Sequence, residues 1–79
     1  MDAIEALVRS LPGEAARIRR KFWRDPEFRE VCEDHRDALE AASRFEAACP
    51  ADPVRAEEYR ELAAELLAEA AAMLKGARP

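Results

Sequence analysis

Residues 22–35 read FWRDPEFREVCEDH, and the parsing of this stretch decides the fold. It holds the single Trp of the chain, its single His and one of its two Cys residues. A chemical parse takes Cys32 and His35, three residues apart, as metal ligands. An architectural parse takes Asp25 as a helix cap and Pro26 as the first helical residue, where its missing N–H leaves no bond unmade. Glu27 then meets the positive end of the helix dipole. Phe28, Val31, Cys32, His35, Ala38, Leu39, Ala42, Phe45 and Cys49 follow at alternating steps of three and four, the signature of one buried helix face. The second parse accounts for more residues and predicts a long helix over about 26–48.

The same punctuation recurs on both sides. Asp52 and Pro53 repeat the cap-then-proline signal after the turn Cys-Pro-Ala-Asp-Pro, opening a helix over about 53–75 that ends at Gly76. Its apolar positions are Tyr59, Leu62, Ala63, Leu66, Leu67, Ala70, Met73 and Leu74, with Lys75 and Arg78 near the negative dipole end. Towards the N-terminus, Asp2 caps a short helix over about 3–11, with Glu5 at the capping-box position. Leu11-Pro12-Gly13 closes it, since proline disfavours helical geometry in the residue before it. A second short helix is expected over about 13–24, with Ala15, Ile18 and Phe22 on a narrow apolar face.

Two long helices joined by so short a turn are expected to run antiparallel. That register sets Phe28 against Met73 or Leu74, Val31 and Cys32 against Ala70, His35 against Leu66 or Leu67, Leu39 against Leu62 or Ala63, and Ala42 against Tyr59. The expected architecture is a single small all-α domain over residues 1–79. It is a helical hairpin with two short N-terminal helices; two helices alone leave half of each stripe uncovered, so the N-terminal segments are expected to fold over it and two hairpins to pair into a dimeric helical bundle. The seam is expected at Phe28, Val31, His35, Leu39, Phe45, Tyr59, Leu62, Leu66 and Met73.

Composition agrees. The chain has 79 residues, of which 49 % are hydrophobic and 38 % charged, too apolar for a disordered segment. There is no Thr, Asn or Gln, and few residues are β-branched, which argues against strands. The net charge of −4 does not favour nucleic acid as a general partner. No basic region followed by an apolar run suggests a signal peptide, and the least polar stretch, LLAEAAAML, is too short to span a bilayer. A cytoplasmic location is expected.

Catalysis finds little footing. The two serines are far from the lone histidine in sequence, and the only glycines are Gly13 and Gly76, too few for a phosphate loop. No catalytic residue, cofactor or small-molecule substrate is expected. Cys32 and His35 share a helix face but supply only two of the four ligands a structural zinc needs. Cys49 lies about 25 Å further along, too far for that site or for a disulfide to Cys32. Cys32 is read instead as a small buried apolar group and His35 as a seam residue bonded to a neighbouring helix, with Glu65 or Glu69 as carboxylates that would favour its charged form.

The distinctive surface feature is RIRRKFWR at 17–24, five positive charges in eight residues. Arg17, Arg20, Lys21 and Arg24 share a face, with Trp23 beside them as a packing anchor rather than a base-stacking residue. The stripe is expected to be solvated, or neutralised by the acidic residues Glu27, Glu30, Asp34 and Asp37 within the chain or across a dimer. Two functions follow. One is a non-catalytic interaction or assembly module, self-associating and docking an unknown protein partner. The other is a binder of nucleic acid or of an anionic membrane surface through helix 17–24.

Phe28-Arg-Glu-Val-Cys-Glu-Asp-His35 followed by Leu39, and Tyr59-x-x-Leu62-x-x-x-Leu66-x-x-Glu69 followed by Met73-Leu74, resemble the two helices of the YdcH-like small helical proteins of bacteria. The resemblance covers about 45 residues and leaves out residues 1–24 and both cysteines. It implies a short helical hairpin or coiled coil of uncharacterised function, with Phe28, Val31 and His35 as seam positions, and it implies no activity.

Overall fold

The structure, a computed structural model, describes residues 1–76; Arg78 lies outside the described residues. Four α-helices follow one another: α1 (Ala3–Ser10), α2 (Ala15–Arg24), α3 (Pro26–Ala47) and α4 (Pro53–Leu74). A 3-10 turn, Pro12–Glu14, joins α1 to α2. No strand occurs among the described residues.

The helices begin where side chains satisfy the first free amides. The Asp2 carboxylate accepts from the Ile4 N–H at 2.8 Å. Asp25 accepts from the N–H groups of Glu27 and Phe28, at 3.0 and 3.2 Å. Asp52 accepts from that of Arg55 at 3.1 Å. Each cap immediately precedes its helix, whose first amides would otherwise be left unpaired. Glu5 does not complete a capping box; it lies within 3.8 Å of Arg9 one turn on. At the far end of α4, Gly76 takes φ +67°, a left-handed conformation that favours glycine, and closes the helix.

Helices α3 and α4 pack on each other. Beside the turn, Phe45 stacks on Tyr59 with ring centroids 5.6 Å apart and planes within 9°. There Glu46 pairs with Arg60, and the Phe45 carbonyl accepts from the Asp52 N–H at 3.0 Å. At the opposite end, Phe28, Val31 and Cys32 share one apolar cluster with Ala70, Met73 and Leu74. Helices α1 and α2 supply the rest of this cluster through Ala3, Ile4, Leu7, Ile18 and Phe22. The N-terminal segments, whose packing sequence periodicity leaves open, thus lie chiefly against α3.

Of the expected seam, Phe28, Val31, His35 and Met73 are buried, and Leu39, Phe45, Tyr59 and Leu66 are half-buried. Leu62 departs from the expectation, at 42 % exposed. It sits about 100° around the helix from Ala63, the buried centre of that turn. Met73, on a similar flank, is buried at the end of α4 where α2 also packs. Three further readings are corrected. Helix α2 starts at Ala15 rather than near Gly13, because Leu11 adopts φ −132°, ψ 63° and the next residues tighten into the 3-10 turn. Cys49 lies beyond the end of α3, exposed, and does not extend its stripe. Ala56 is fully buried and belongs to the α4 face that the spacing argument began only at Tyr59.

Stability for a chain of this length is on the order of 4–12 kcal/mol, and Phe28 is the largest of its fully buried side chains. Phe28→Ala is expected to cost about 3–5 kcal/mol. Urea unfolding followed by circular dichroism should show a partly or wholly unfolded variant; an unchanged midpoint would place Phe28 outside the core.

A cationic cleft between α2 and the end of α4

A ten-residue helix with Ile18 and Phe22 buried on one side must present its remaining positions to solvent or to a neighbour. Arg17, Arg20, Lys21 and Arg24 lie within about a third of the turn, on a face that points towards the C-terminal end of α4. Together with Asp25, Met73, Leu74, Lys75 and Gly76 they line a cleft of about 350 Å³. Five cations therefore meet one carboxylate. A larger cleft of about 460 Å³, bounded by α1, α3 and Arg60, is mixed in charge and internally paired, as in Arg60 with Glu46.

The five cations fall into two groups. Arg17 and Lys21 are pinned. Arg17 donates to Glu14 Oε2 at 3.1 Å and to the carbonyl of Leu74, so it holds the last turn of α4. Lys21 lies 3.3 Å from Asp25 Oδ2 and 5.8 Å from the centre of the Phe28 ring. The Phe28 N–H, with Lys21 and the Glu27 N–H assisting, holds the Asp25 carboxyl below its ordinary range. Arg20, Arg24 and Lys75 make no ion pair among the described residues. Within the chain, Glu30, Asp34 and Asp37 do not neutralise the α2 stripe as expected. Asp37 pairs with its neighbour Arg36 at 3.0 Å, and Glu30 and Asp34 are exposed.

Trp23 is not a packing anchor. It is 71 % exposed and meets the buried Phe22 edge to face, with centroids 5.0 Å apart and planes at 82°. The apolar face of α2 is narrow, and Trp23 falls about 100° beyond Phe22, outside it. Lys75 is the member of the cleft that sequence reasoning missed. Its position after the last turn of α4 reads as a dipole contact, and only the packing of α2 against α4 brings it to the arginines.

Cys32 and His35 are both buried on α3, at 0 % and 2 % exposure. Burial pushes the Cys32 thiol up to about 12, so it is neither thiolate nor a ready metal ligand. No group of three or more His, Cys, Asp and Glu side chains suited to a metal occurs among the described residues. His35 Nδ1 has no hydrogen-bond partner among the described residues, and Glu65 and Glu69 are exposed rather than bonded to it. The expected bond to a neighbouring helix is thus missing at this atom, and burial alone lowers the His35 pKa from its ordinary 6.5.

No family model, curated protein or solved structure matches the chain.

The lowered His35 pKa fixes a sign. Above about pH 6.5 both folded and unfolded imidazoles are neutral and stability is full. As pH falls through the unfolded value towards the lower folded one, the unfolded state binds the proton first and stability declines. Urea midpoints measured from pH 7.5 down to 5 should fall. The His35→Leu variant should lose that part of the slope and be at least as stable at pH 7, since it removes an unpaired buried nitrogen.

Proposed function

We propose that the protein is a non-catalytic interaction module that docks a polyanionic partner through the α2–α4 cleft. Its frame is an antiparallel hairpin of α3 and α4, consistent with the contacts at both ends of the pair and with the resemblance to YdcH-like proteins. The observation that carries the reading is a group of three cations, Arg20, Arg24 and Lys75, that make no ion pair among the described residues and sit beside two pinned ones in a chain of net charge −4. Scattered surface charges would be solvated and worth little. Here Arg17 and Lys21 are held by the protein itself, and Arg20, Arg24 and Lys75 line the same cleft beside them. The acidic remainder of the chain limits non-specific capture. No described helix is long and apolar enough to cross a membrane. The two free thiols, Cys32 and Cys49, fit a cytoplasmic location.

A chain retained on immobilised heparin at low salt, and released as salt rises, is the expected behaviour. Arg20→Glu with Arg24→Glu should pass through unretained with its helicity unchanged. Retention unaffected by the double reversal would refute the cleft as the docking surface.

A second reading, self-association into a dimeric bundle, is favoured by apolar groups left open on α4. Leu62 is 42 % and Val54 69 % exposed, and Leu66 and Leu67 are half-buried. Native mass spectrometry should then find a dimer that Leu62→Glu converts to monomer. A monomer at all concentrations removes this reading and leaves the cleft untouched.

A further inference from the structure

We infer that the polyanion is a single strand of nucleic acid, its phosphates on Arg20, Arg24 and Lys75 and one base against Trp23. This rests on the cleft being the docking surface, as proposed above, and names what fills it. Trp23 supplies the independent observation. A large indole 71 % in water is held from one side by a buried phenylalanine, beside Arg24 and one turn from Arg20. An acidic peptide would use the cations and leave the indole idle. A strand of nucleic acid uses both, because every base offers a flat π-face beside its phosphate.

A membrane surface fits less well. A helix that lies in the interface needs an apolar face to insert, and that of α2 is spent in the core, with Ile18 at 0 % and Phe22 at 7 % exposure. Trp23 alone would remain. A duplex also fits less well, since its bases are stacked inside and closed to Trp23. Arg20 and Arg24 are about 6 Å apart along the helix axis, comparable to the step between neighbouring phosphates of an extended strand.

Trp23 is the only Trp of the chain, so its emission reports contact directly. The experiment titrates the full chain at low salt with a short oligouridylate, its duplex with oligoadenylate, tripolyphosphate, polyglutamate, and vesicles containing anionic phospholipid. The oligouridylate should bind and quench the indole. Trp23→Ala, followed by anisotropy of end-labelled oligouridylate, should weaken binding roughly 5- to 150-fold, with Trp23→Phe in between. The same variant should leave tripolyphosphate affinity unchanged, while Arg20→Glu with Arg24→Glu should abolish both. Circular dichroism checks that each variant is folded.

Polyglutamate or duplex bound as tightly as the single strand, vesicle binding with a blue-shifted indole, or Trp23→Ala without effect would each overturn the inference. Polyglutamate binding without oligouridylate binding would remove the strand and keep the docking cleft. Failure to bind any polyanion would remove both.

Discussion

The corner at Asp25–Pro26 is the constraint from which the rest of the arrangement follows. Asp25 leaves helical geometry, with φ −119° and ψ 102°, yet its N–H still closes α2 on the Lys21 carbonyl while its side chain opens α3. One residue thus ends one helix and starts the next, its N–H, carbonyl and carboxylate all bonded. Lys21 and Arg29 lock the bend from both sides, Lys21 through its ion pair and Arg29 through a 3.0 Å bond to the Phe22 carbonyl. The bend brings Phe22 and Phe28 into one cluster. Once those two rings are buried together, the opposite face of α2 has only one place to go, towards the end of α4. The position of the cations is therefore a by-product of where two phenylalanines must sit.

The core that results is thin and uneven. Its bulky members crowd the end where all four helices meet, while the stretch nearer the turn relies on Ala38, Ala41, Ala42, Ala56 and Ala63. Small side chains let two backbones approach closely and bring little apolar area each. That end is held instead by the stacked Phe45 and Tyr59 and by the Glu46–Arg60 pair at the surface. The interior also carries an imidazole nitrogen, His35 Nδ1, without a partner among the described residues.

The helix boundaries other than the start of α2 were legible because their signals are local. Asp2, Asp25 and Asp52 each announce a start, and Gly76 a stop, by chemistry that needs no knowledge of the remaining chain. Buried faces were legible from periodicity, down to Phe28, Val31 and Met73. The misreadings share another cause. Leu62 and Met73 occupy similar flanks of one helix, and only the place where α2 reaches α4 buries one and exposes the other. Trp23 invites burial by its size, but the narrow face beside it was already filled. Lys75 joined the cleft through packing between segments more than 50 residues apart in sequence, which no spacing within either segment reveals.

The bond from Arg17 to the Leu74 carbonyl ties the cleft to the integrity of the whole chain. Arg17 comes from the second helix and Leu74 from the last, so an unfolded or frayed chain has the charges but no cleft. An anion that needs both walls binds the native state alone, and by mass action it withdraws the chain from its unfolded population. The last turn of α4, ordinarily the first place a helix loosens, would then gain amide-exchange protection in step with occupancy. A bound anion would then act as a missing portion of the core.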